Sequence, residues 1–108
     1  MYFKGTYTAL ITPFRKDQQV DFEILEKLVE RQVQSGVDGI VPVGTTGESP
    51  TLRADEHLKV IERTVQKVAG RCKVIAGTGA NSTSEAVELT LAAKAFGVDG
   101  TLQVTPYY

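Results

Sequence analysis

Four short apolar runs, YTALITPF, GIVPV, KVIAG and GTLQV, recur about every 30 residues, the length of a strand plus its crossover helix. The stretches between them carry helical periodicity instead. From Asp21 to Ser35, residues Phe22, Leu25, Leu28, Val29, Gln32 and Val33 fall on one side, with Asp21 placed to cap the start and Gly36 to end it. From Arg53 to Ala69 the stripe is Leu58, Ile61, Val65 and Val68, closed by Gly70. From Ser82 to Phe96 a Ser82-x-x-Glu85 capping box opens a helix whose inward residues are Ala86, Leu89, Ala92, Ala93 and Phe96, and Gly97 stops it. The order is therefore strand, helix, strand, helix, strand, helix, strand. The apolar runs lack clean alternation, which predicts strands buried on both faces, as in a parallel sheet. Either an open doubly wound sheet or a closed barrel of eight such units satisfies this pattern.

An internal echo supports repetition. Gly36-Val37-Asp38-Gly39 precedes the second strand and Gly97-Val98-Asp99-Gly100 the fourth, so one helix-to-strand turn is used twice. The 108 residues read as one domain, residues 1–108, without a linker or low-complexity tract. A formal charge of -1 argues against a nucleic-acid or anionic-membrane partner, and no run approaches a membrane span. The first residues lack the layout of a signal peptide, and the single Cys72 can form no internal disulfide, so a cytoplasmic location is expected.

In either architecture, function gathers where strands end and loops begin. Those positions hold Thr12-Pro13, Thr45-Thr46-Gly47-Glu48, Thr78-Gly79-Ala80-Asn81 and Thr105-Pro106-Tyr107-Tyr108. Four strands thus deliver a hydroxyl each to one rim. Hydroxyls relay protons, and glycine-flanked amides can face a carboxylate, so a site for a small, oxygen-rich anion is expected. The plainer alternative is that threonine suits strands and glycine suits turns. Gly77-Thr78-Gly79 lacks the third glycine of a dinucleotide fingerprint, and Glu48 stands where a phosphate loop needs lysine. The lone His57 and Cys72 have no companions at metal-ligand spacing, and no metal or cofactor is expected. Taken alone, His57 reads as a solvated surface histidine, Glu48 as an acid favouring a helix dipole, and Cys72 as packing. The lysines are Lys4, Lys16, Lys27, Lys59, Lys67, Lys73 and Lys94, and none stands at the C-terminal end of a strand.

VGTTGE followed by S-P-T-L-x-x-x-E-H, then VIAGTGAN, then VTPYY, in this order and spacing, closely resembles the dihydrodipicolinate synthase family of pyruvate-dependent aldolases, whose relatives include N-acetylneuraminate lyase. The resemblance runs from the first strand to Tyr108 and covers somewhat over a third of a family member. It implies the N-terminal half of a (β/α)8 TIM barrel, with four parallel strands and three helices, usually in a homotetramer. It also implies a part in bacterial lysine biosynthesis: a lysine forms a Schiff base with pyruvate, and the enamine attacks aspartate semialdehyde. Thr45 resembles the relay threonine, and Tyr108 the relay tyrosine that family members insert into a neighbouring subunit. Thr46, with nearby amides, resembles the holder of the pyruvate carboxylate. Ser49, Pro50, His57, Asn81, Glu85 and Tyr107 resemble a feedback site for L-lysine, although Ala54 stands where some inhibited members carry another histidine.

The family's Schiff-base lysine, a further relay tyrosine and a carboxylate-binding arginine have no counterpart in these residues. The polypeptide by itself is therefore expected not to condense its substrates, because threonine cannot replace the amine that becomes the iminium. The alternatives are another pyruvate aldolase, such as a sialic-acid or ketodeoxysugar lyase, and a catalytically silent half barrel serving assembly. Half a barrel has open edges and an uncovered inner wall, so folding is expected to need self-association, a second half or a longer parent.

Overall fold

The computed structural model describes residues 2–108. Four strands, β1 (Tyr7–Ala9), β2 (Gly39–Val41), β3 (Lys73–Gly77) and β4 (Gly100–Leu102), alternate with α1 (Phe22–Gln34), α2 (Ala54–Val68) and α3 (Thr83–Phe96). A short 3-10 turn, Ser49–Thr51, precedes α2. All neighbouring strands are parallel, and their spatial order is the chain order, β1-β2-β3-β4. A doubly wound sheet would reverse its strand order at a switch point and carry helices on both faces. Here each helix packs on the next along one side of the sheet. The thinnest dimension, 22 Å, fits one sheet under one helical layer. The architecture is an arc of a barrel.

Each helix starts and stops as its sequence dictates. Asp21 Oδ1 accepts from the Ile24 amide at 3.0 Å, and Gly36 at φ 81° follows the last turn of α1. At α2 the Glu56 carboxylate accepts from the Arg53 amide at 3.2 Å, and Ala69 and Gly70 leave in the left-handed region. At α3 the Ser82 hydroxyl accepts from the Glu85 amide at 3.4 Å, but among the described residues no return bond from the Ser82 amide to the Glu85 carboxylate completes the expected box. Glu48 does not serve α2: it precedes the 3-10 turn, and the acids in the first turn of α2 are Asp55 and Glu56.

The core lies between sheet and helices. Leu10, Ile40, Val74 and Ala76 pack against Leu25 and Val29 of α1, Val60, Ile61 and Val68 of α2, and Ala93 of α3. The other face of the sheet departs from the expectation of two buried faces. Ile11 and Leu102 remain 55% and 54% exposed, because no second layer lies over them among the described residues. That face is covered only at its N-terminal rim. The Phe3 and Tyr7 rings meet edge to face at 6.1 Å, and a Cβ on Gly39 would overlap Tyr7 while one on Gly100 would overlap Phe3.

The echoed tetrapeptide now has a physical reading. Asp38 donates its amide to the Thr6 carbonyl at 2.9 Å and accepts from the Thr6 amide through Oδ2 at 2.7 Å. Asp99 does the same to Val74, at 2.9 Å and 2.9 Å. In each copy the first glycine leaves the helix at positive φ, the valine packs on the core and the aspartate clamps the preceding strand. The last glycine makes room for an aromatic ring. On the helical surface, Arg71 grips Glu30 of α1 with two bonds, of 2.9 and 2.7 Å.

Candidate functional site

β2 ends at Val41, and Pro42-Val43 carries the chain out of the sheet. Val43 is fully buried at φ 47°, a left-handed conformation that costs a β-branched residue on the order of 1–3 kcal/mol. The turn that follows is closed by the Gly47 amide on the Gly44 carbonyl, 3.0 Å, and the Glu48 amide on the Thr45 carbonyl, 2.9 Å. Thr12, from the loop after β1, donates its buried hydroxyl to the Gly47 carbonyl at 2.7 Å. A Cβ on Gly47 would press on the Val43 backbone at 2.9 Å, and one on Gly77 would overlap the Val43 carbonyl, so both glycines are required by close approach. Thr45 and Thr46 are exposed at the tip, and among the described residues neither hydroxyl has a hydrogen-bond partner.

Two cavities open beside this turn. The first, about 250 Å³, lies at the C-terminal ends of β2, β3 and β4 and is lined by Val43, Gly44, Thr45, Ser49, Gly77, Gly79, Leu102, Gln103 and Val104. The second, about 160 Å³, lies between the 3-10 turn, α2 and α3, and Ser49 and Gly79 form part of both walls. A larger cavity of about 440 Å³ sits at the opposite rim among Asp38, Cys72 and Asp99. Its two carboxylates are engaged in the strand clamps, and burial pushes the Cys72 thiol up, which suits packing rather than nucleophilic attack.

Of the residues singled out from sequence, Thr45 lines the first cavity, while Thr46 is exposed outside it and Tyr108 is fully exposed at the chain's end. All six of Ser49, Pro50, His57, Asn81, Glu85 and Tyr107 line the second cavity. The expectation of four hydroxyls on one rim fails for two of them. Thr12 is spent on Gly47, and Thr78 is buried against α3, 2.9 Å from the Thr90 hydroxyl. Even-numbered residues of β3 face the helices, so Thr78 follows Val74 and Ala76 inward; that signal was available in the sequence. His57 also departs from expectation. It is 3% exposed, and its Nε2 lies 2.6 Å from the Gly77 carbonyl, which can only accept, so the proton sits on Nε2. Burial holds its pKa below the ordinary value, with the Gly77 bond and the Glu85 charge opposing. Gln103 escaped the sequence reading: its amide donates to Thr78, to Thr90 at 3.0 Å and to Thr101 at 3.2 Å, and it borders the first cavity. A lone amide in the otherwise apolar run GTLQV was its only mark.

The family model described as the dihydrodipicolinate synthetase family matches residues 2–108. The chain belongs to that family. A curated relative, the 4-hydroxy-tetrahydrodipicolinate synthase of Endomicrobium trichonymphae, is 61% identical over 98% of this chain and 36% of its own length. The crystal structure of dihydrodipicolinate synthase from Aquifex aeolicus superposes with a TM-score of 0.95 at 57% identity, again over 98% of this chain and 36% of that one. Two further structures hold ligands. A chloride-inhibited synthase from Acinetobacter baumannii complexed with pyruvate is 53% identical, with a TM-score of 0.93 over 96% of this chain and 36% of that one. A synthase from Cyanidioschyzon merolae with lysine bound is 45% identical, with a TM-score of 0.93 over 98% and 36%. The fold is thus the N-terminal part of a TIM barrel, and the chain spans about 36% of the length of the relatives it matches.

Proposed function

We propose that this chain supplies the N-terminal wall of an enzyme that condenses pyruvate with aspartate semialdehyde through a Schiff base, in the pathway to lysine. The observation that carries this reading is the Thr45 hydroxyl, unengaged and standing at the rim of a cavity framed by the ends of three strands. An unengaged hydroxyl can hand a proton on. Thr46 and the Thr45 and Thr46 amides would take the pyruvate carboxylate, and Tyr108 would serve a neighbouring subunit of a homo-oligomer, a role its full exposure supports. The names of the relatives favour the synthase over a ketodeoxysugar lyase.

The amine that forms the iminium is not among the seven lysines of this chain. None lines the first cavity; Lys73 lies at the N-terminal rim on the Tyr2 carbonyl at 2.9 Å, and Lys59 sits over the Phe22 ring on the helical side. Borohydride reduction in the presence of pyruvate tests this. We expect no increase in mass on this polypeptide alone; a stable pyruvate adduct on any of its lysines overturns the assignment.

A second reading concerns the second cavity, which we propose as a regulatory site for L-lysine. Six residues expected for that purpose meet there, and they offer a carboxylate, an amide and a phenol to a zwitterion. L-lysine titration followed by NMR checks it, with shifts expected at Asn81, Glu85 and Tyr107 and none of them moving if the idea is wrong.

A further inference from the structure

His57 belongs to the second cavity by its lining, yet the hydrogen bond of its ring reaches Gly77 in the wall of the first. The ring sits in the opening turns of α2, and Nε2–H meets the carbonyl of Gly77, the last residue of β3. Gly77 is held through its amide as well, which donates to the Pro42 carbonyl at 3.0 Å. Its Cα lies flush against the carbonyl of Val43, where a side chain of any size would overlap. Val43 is the buried residue in left-handed backbone from which Gly44 and Thr45 depart. A β-branched residue does not keep φ 47° unless its surroundings enforce it. The surroundings are Gly47 on one side, fixed by Thr12, and Gly77 on the other, fixed by His57.

We propose that His57 is a positioning residue for Thr45: its bond to Gly77 presses the end of β3 onto Val43 and so holds the turn that aims Thr45 at the mouth of the first cavity. This deepens the functional reading above, on which the importance of Thr45 rests. The same bond is one link between the two cavities, beside the wall they share at Ser49 and Gly79.

The test reads geometry in the full chain and needs no substrate, so it stands apart from the pyruvate chemistry. In His57→Ala we expect the backbone resonances of Val43, Gly44 and Thr45 to shift by more than those of Leu25 and Val29, with Val43 Cα and Cβ leaving left-handed values. His57→Gln, which keeps an N–H donor, restores the original pattern. Shifts spread evenly through the α1 core, or an unchanged Val43 in well-dispersed His57→Ala, overturn the proposal. Independently of any variant, imidazole nitrogen spectra of the unaltered chain must show the neutral ring protonated on Nε2; protonation on Nδ1 overturns it as well.

Discussion

Thr45, Thr12 and Thr78 leave strands at corresponding points and meet different fates. The difference is which way each side chain turns. Thr12 and Thr78 continue the helix-facing set that includes Leu10 and Ala76, so burial obliges their hydroxyls to find partners within the fold. Thr45 comes after the left-handed Val43, which breaks the alternation and leaves its hydroxyl unengaged. Replacing Thr45 by valine keeps shape and removes only that hydroxyl. In the catalytically complete assembly, Thr45→Val is expected to lower kcat by about 10²- to 10⁴-fold, the usual worth of a positioned proton carrier, with thermal unfolding unchanged. Steady-state kinetics beside a melting curve measures both; a variant with full turnover removes Thr45 from the relay. His57 shows what one residue's neighbourhood hides from its sequence. No local pattern announces that a carbonyl 20 positions away awaits its ring.

The helices were legible as elements because 3.6-residue periodicity survives in α1 and α2 and glycines mark all three ends. The strands were overdrawn: regular strand ends at Ala9, Val41 and Leu102, where the chain turns to form the rim. α3 is the exception among helices, since Val87 and Leu91 stand exposed on the side away from α2's packing stripe, and no stripe alone would separate the two faces. Two separate contacts, the His57 ring of α2 on the end of β3 and Arg71 on Glu30 of α1, make stability depend on pH in two stages. Burial lowers the His57 pKa below 6.5, so the unfolded state binds the extra proton first. Stability present above pH 6.5 therefore declines as pH falls below it, until the folded-state pKa is passed. The Arg71 guanidinium, with Gln34, lowers the Glu30 carboxyl from 4.5 to about 2, so its contribution holds above 4.5 and disappears between there and about 2. Urea titrations across this range should show the upper stage vanish in His57→Gln and the lower one in Glu30→Gln. A single stage in the unaltered chain would contradict the assignment.

At the scale of the whole molecule, one face is a packed helical layer and the other a sheet surface with Ile11, Leu102 and Val104 open to water. Strands β1 and β4 present unpaired edges as well. Apolar surface of this kind drives association, so the isolated chain is expected to scatter light as an oligomer or aggregate. Placing charge on the face, as in Ile11→Asp with Leu102→Glu, should shift the population toward monomer with circular dichroism retained. A sharply melting monomer before any substitution would show that the face needs no cover.

The paired aspartate clamps have a consequence for how such a molecule can be cut and rejoined. Asp38 dovetails the second strand into the first and Asp99 the fourth into the third, whereas Cys72 occupies the position before the third strand and offers no carboxylate to the second. The seam between the second and third strands is thus the only internal boundary among the described strands not bolted in this way. Recombination between homologous genes at that seam would exchange whole quarter-barrels and leave every bolt intact.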